Sequence, residues 1–126
     1  MTRTSLAVLI ALSIAAVPTP AMADSERGYA GPGDPWAIGY GMQVARSCPN
    51  WRMEPQRTLA ERGILPRIEF GSGLMAMDGP FGRELYLGQG AAEADRRAHP
   101  AFCTRLRRIA GPRWARLARV VIPVAG

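Results

Sequence analysis

Cys48 and Cys103 are the only thiols in this chain of 126 residues. In an oxidising compartment an isolated pair of cysteines defaults to one disulfide. The loop it would close holds about 55 residues, for which chain entropy gives roughly 4 kcal/mol of stabilisation. Small domains keep only about 5–10 kcal/mol of net stability, so such a staple decides whether one folds. A redox or nucleophilic thiol lacks its supporting parts. There is no Cys-x-x-Cys, and the single histidine, His99, stands four residues before Cys103.

The oxidising compartment is read from the N-terminus. Arg3 is followed by an apolar run from Leu6 to Val17 broken only by Ser13, then Pro18 and Pro20, then Ala21-Met22-Ala23. Positive start, apolar middle and small-x-small end are the pattern of a secretory signal peptide cleaved after Ala23. Twelve helical residues cover about 18 Å, against about 30 Å for a bilayer core, which argues against the alternative of an uncleaved anchor. No cysteine lies near the cleavage position, so a lipid anchor is not expected. The expected location is the periplasm or beyond, with no transmembrane segment in the mature chain. What remains is roughly a hundred residues, one small domain.

Helical periodicity dominates that remainder. Residues 24–35 are Gly, Pro and polar residues and read as a flexible lead-in. Asp34-Pro35 then supplies an N-cap and a first-turn proline. Ala37, Tyr40, Gly41, Val44 and Cys48 recur at helical steps on one face. Residues 49–53 read as a turn. Glu54-Pro55 opens a second helix through about Arg62, closed by Gly63. Residues 64–70 are ambiguous, and Gly71-Ser72-Gly73 is a link. Asp78-Gly79-Pro80 opens a third helix carrying Phe81, Leu85, Gly88 and Ala92, ending near Arg97 because His99 precedes Pro100. Phe102, Cys103, Leu106, Ile109 and Ala110 mark a last helix, with Gly111-Pro112 as its stop. The end of the chain is expected to add a helical turn around Trp114 and Leu117 and then run extended. The expected fold is all-α: a small bundle of three to four short helices over residues 36–112, stapled through Cys48 and Cys103, with 113–126 as a flexible C-terminal tail.

The formal net charge is +6, carried entirely by arginine. The absence of lysine, beside abundant Ala, Gly and Pro, looks like codon bias and weakens any argument from arginine content alone. Placement is more informative. Residues 24–95 hold seven arginines and ten acids, whereas residues 96–126 hold eight arginines and no acid. Arg105, Arg107, Arg108, Arg113, Arg116 and Arg119 are therefore the candidate anion- or partner-binding residues. Guanidinium groups make bidentate bonds to phosphate and carboxylate. The competing explanation is a solvated face whose arginines pair with acids elsewhere in the fold. Export from the cytoplasm argues against nucleic acid as the partner.

Catalytic and metal chemistry find few parts. His99 stands alone, and a zinc site wants three or four ligands at defined spacing. Met42, Met53, Met75 and Met77 are soft donors of the kind copper takes, and equally the usual filler of apolar cores. Ser25, Ser47 and Ser72 lack a Gly-x-Ser-x-Gly setting. Glu93 with Asp95, and Glu61 with Glu69, sit in no apolar run that would raise a general acid. The Gly-x-Gly triplets at 31–33, 39–41, 71–73 and 88–90 do not follow strands, so none is a nucleotide fingerprint. Trp36, Trp51 and Trp114 flank helix ends, where tryptophan usually packs on the core. No cofactor, no metal and no catalytic residue are assigned.

GYGMQVARSCPNW at 39–51 and PAFCTRLRRIAGP at 100–112 resemble the two cysteine-bearing helices of uncharacterised small exported bacterial proteins. In architecture alone the chain is similar to the periplasmic acid-stress chaperones and to helical immunity proteins. The resemblance implies a small helical exported protein and transfers no functional residue. The expected function is a non-catalytic one, binding a protein or an anionic envelope component. A stress chaperone is the alternative, and a small enzyme a further one.

Overall fold

A computed structural model of the chain describes residues 29–66 and 79–125. The expected signal peptide, the first residues of the lead-in, the 71–73 link, Ser25, Ser72, Glu69, Met75 and Met77 lie outside the described residues.

Helix α1 spans Pro35–Ser47 and starts as its sequence dictates: Asp34 caps it by accepting from the Ala37 N–H at 3.3 Å, with Pro35 in the first turn. It is the central element. Pro35 to Gly41 are all buried, and Val44 and Cys48 continue the buried face. Helix α2 spans Gln56–Glu61 and ends at Gly63, whose φ of +72° only glycine adopts readily. Leu59 is its one buried residue, and its carbonyl accepts from both Ile64 and Leu65. Helix α3, Pro80–Ala98, runs into the extended residue His99 before Pro100.

α1 and α3 form the main interface and meet through glycine. A Cβ at Gly39 would collide with the Leu85 carbonyl oxygen, and one at Gly88 with that of Trp36. The two backbones are thus in near contact, which no larger residue permits. Trp36, Tyr40, Phe81, Phe102, Leu106 and Leu117 are the largest fully buried side chains around this contact.

Several expectations are corrected by the chain's second half. The last helix does not include Phe102 and Cys103, which lie in a series of turns; α4 spans only Leu106–Ala110. The reason is competition for one carbonyl. The Cys103 C=O accepts from Asn50 Nδ2 and Trp51 Nε1, both at 2.9 Å, and so serves the tertiary contact rather than a helical turn. Gly111-Pro112 does end α4, as expected. Gly111, at φ +61°, bends the chain, and a 3₁₀ turn (Gly111–Arg113) and α5 (Trp114–Leu117) follow at once. Proline lacks an N–H that a first turn does not need, so it starts a helix as readily as it follows one.

The all-α expectation is corrected too. Residues 51–53, read as a turn, form strand β1 (Trp51–Met53), antiparallel to β2 (Val121–Pro123) in the register Trp51↔Pro123, Arg52↔Ile122 and Met53↔Val121. The fold is mostly helical with this two-stranded ribbon. Residues 113–125 are accordingly not a flexible tail. Leu117 and Val120 are completely buried, and Val120 packs on Gly41, where an added Cβ would approach Val120 Cγ1 to 2.7 Å. The described part of the lead-in is also tied down: the Asp34 N–H donates to the Ile64 carbonyl, and the Tyr29 ring meets Phe81 edge-on.

Candidate functional site

The disulfide joins Cys48 to Cys103 with Cα atoms 5.3 Å apart, pinning the end of α1 to the turns before α4. The six arginines singled out from the charge pattern run from those turns through α4, the 3₁₀ turn and α5 to the turn that follows it. The structure divides them into two groups.

Arg113, Arg116 and Arg119 are structural. Arg116 grips Asp34 with two bonds, Nε to Oδ2 at 3.0 Å and Nη2 to Oδ1 at 2.6 Å, and its guanidinium lies 4.6 Å from the Trp36 ring centroid. Arg113 donates to Asp95 Oδ2 at 2.7 Å, while the Tyr40 hydroxyl donates to the same oxygen at 2.6 Å. Its guanidinium also sits over the Trp36 and Tyr40 rings. These two cations spend their planar forks on internal carboxylates and aromatic faces. Arg119 and Arg62 exchange bonds to each other's backbone carbonyls. Arg96 and Arg97, at the end of α3, converge on Glu93. Hydrogen bonding from Arg96, above all, holds the Glu93 carboxyl down to about 2, with desolvation opposing and the Arg96 charge and Arg97 assisting.

Arg105, Arg107 and Arg108 make no ion pair among the described residues. All three are exposed, Arg105 immediately before α4 and Arg107 and Arg108 within it. Arg105 and Arg108 form a ridge between two shallow hollows. One, of about 360 Å³, is lined also by His99, Pro100 and Ile109. The other, of about 460 Å³, adds Arg107, Trp51 and Pro123. Arg107 stands 5.4 Å from the centroid of Trp114, which packs edge-on against Trp51 at 5.6 Å. The ridge is therefore cationic and open, with aromatic and apolar neighbours.

The remaining candidates are dispersed. His99 is exposed beside the ridge, and no group of three or more His, Cys, Asp or Glu side chains is placed to hold a metal among the described residues. Met42 and Met53 line an apolar depression of about 590 Å³ with Ile38, Leu59, Leu65 and Leu85. The Ser47 hydroxyl accepts from Gln43. Among the described residues no helix is long and apolar enough to cross a membrane. Sequence reasoning missed Asp34 and Asp95 as the partners of Arg116 and Arg113. Asp34 announced itself only as a helix cap, and nothing local points 82 residues ahead to Arg116. No family model, no curated protein and no solved structure matches this chain.

Proposed function

We propose that the protein is an exported, non-catalytic binding protein of the bacterial envelope, of the small two-cysteine helical class. Its contact surface is the α4 ridge of Arg105, Arg107 and Arg108, and its partner carries negative charge. One observation supports this reading above others. The other five arginines of residues 96–126 are committed to carboxylates or backbone carbonyls, whereas these three are exposed together at the start of α4 and make no ion pair among the described residues. Leaving three neighbouring cations without an internal carboxylate costs self-repulsion that a bound anion removes. The test is chemical crosslinking of the protein to envelope fractions at low salt, beside a variant with all three arginines changed to glutamine. The same anionic component should be captured by the wild-type protein and lost from the variant. Equal capture by both, or capture of nothing anionic, ends the reading.

A second reading, an acid-activated chaperone, draws on the Asp34–Arg116 and Asp95–Arg113 pairs. They tether the C-terminal segment over Trp36, so neutralising the carboxylates would free that segment and expose apolar surface. Suppression of client aggregation in strong acid but not at neutral pH is the expected result. No protection in acid removes this alternative.

A further inference from the structure

We infer that the α4 ridge is a peripheral docking surface for an anionic phospholipid layer, with headgroup phosphates as the bound groups. This rests on the binding role proposed above and narrows the partner to one kind. Three features of the corner argue for it together. The cations stand on a ridge between two open hollows, so a small ligand would find walls on one side only, whereas an extended layer reaches all three guanidinium groups. Each guanidinium is a planar fork suited to phosphate oxygens.

The second feature is what flanks the charge. Trp114 lies half-buried against Arg107, Trp51 lies half-buried against Trp114, and Trp51 and Pro123 line the same hollow as the arginines. Arginine beside tryptophan and short apolar side chains is the composition that settles at a membrane–water boundary, with the cation at the phosphates and the ring at headgroup level. An acidic protein would answer the charge but gives the aromatic and apolar rim no particular role. The third feature is rigidity. Trp51 is fixed by its Nε1 bond to the Cys103 carbonyl, next to the disulfide, so the surface is formed before anything binds.

Sedimentation with vesicles of phosphatidylcholine and phosphatidylglycerol in roughly equal parts, beside pure phosphatidylcholine, tests the inference at low salt. The protein should partition to the anionic vesicles only. Each arginine near such a surface contributes about fivefold, so the triple glutamine variant should bind roughly a hundredfold more weakly. Arg105→Lys/Arg107→Lys/Arg108→Lys should keep most of the binding, and Arg46→Gln/Arg57→Gln, which lowers net charge elsewhere, should leave it nearly intact. Tryptophan emission should shift to the blue on binding; no shift overturns the placement of Trp51 and Trp114 at the boundary. Vesicle binding that survives the triple substitution overturns the inference. A parallel arm with long-chain inorganic polyphosphate separates the two levels. Arginine-dependent binding to polyphosphate without vesicle binding rejects the lipid surface and leaves the anion-binding role standing. Binding to neither rejects both.

Discussion

Replacing Gly88 by alanine should loosen the whole domain, although alanine is the better helix former. A Cβ at position 88 would collide with the Trp36 carbonyl oxygen, with the Trp36 carbonyl carbon at 2.8 Å and the Tyr40 nitrogen at 2.9 Å. Both neighbours are helix backbone, so no side chain can turn aside and α1 must retreat from α3 by about 1 Å. A gap of that size forfeits a quarter to a half of each dispersion contact across the interface. Overpacking of this kind costs about 1–3 kcal/mol, and backbone opposition puts Gly88 at the upper end. Alanine returns about 1 kcal/mol of helix propensity, leaving a net loss of roughly 2 kcal/mol. Gly90, two residues along the same helix, has nothing within 4 Å of the corresponding position. Gly90→Ala should therefore gain about 1 kcal/mol, with no opposing term. At about 4–8 °C per kcal/mol for a domain of this size, Tm should fall by roughly 8–16 °C in the first variant and rise by about 4–8 °C in the second. Thermal melts by circular dichroism without reductant measure both. A Gly88→Ala protein as stable as wild type would refute the close backbone contact.

The arginines should separate by stability as they do by partner. Arg116→Gln or Arg113→Gln should lose about 1–3 kcal/mol, between the values for exposed and buried pairs, while Arg105→Gln, Arg107→Gln and Arg108→Gln should stay within about 0.5 kcal/mol of wild type; equal losses across the five would contradict the division. Glu93, held down to about 2 from an ordinary 4.5, has its native pKa below its unfolded one. Its stabilising contribution is present above the ordinary value and fades as pH falls towards 2. Glu93→Gln should flatten the acid limb of the stability curve in that window, and an unchanged limb would show that the Arg96 contact does not hold in solution. Reduction of the Cys48–Cys103 bond, which spans 55 residues, should cost roughly 4 kcal/mol by loop entropy. A loss below about 1 kcal/mol in denaturant melts with reductant would mean that the reduced chain is already constrained.

What the sequence disclosed follows the range of each signal. Asp34-Pro35, the three- and four-residue steps through Val44, and His99-Pro100 act within a turn or two of helix, and they placed α1 and the end of α3. The disulfide was legible because only one pairing exists. β1 and β2 were not, since three residue pairs are too few for an alternating pattern and Trp51 meets Pro123 across most of the chain. Gly111-Pro112 marked the end of α4, but only the burial of Leu117 and Val120 shows that the chain beyond it is packed rather than a flexible tail. For the candidate site, the charge run marked the segment, but only the fold separates Arg113, Arg116 and Arg119, which have internal partners, from Arg105, Arg107 and Arg108, which make no ion pair among the described residues. Which of them face solvent depends on Asp34 and Asp95, distant acids that the fold delivers to the same ring faces.

The order in which the chain closes also follows from the ribbon lying next to the disulfide. Pairing β1 with β2 in a reduced chain closes a loop of about 70 residues. Once Cys48 and Cys103 are joined, the shortest path between the strands is about 20, which lowers the closure entropy by about 1 kcal/mol. Oxidation thus turns a long-range contact into a nearly local one, and the ribbon should zip after the thiols react. Trp51 is also held beside α4 by its bond to the Cys103 carbonyl, and Pro123 is brought next to it by that ribbon. That corner of the fold should therefore be completed only after oxidation, which makes the thiol reaction a maturation step for the surface.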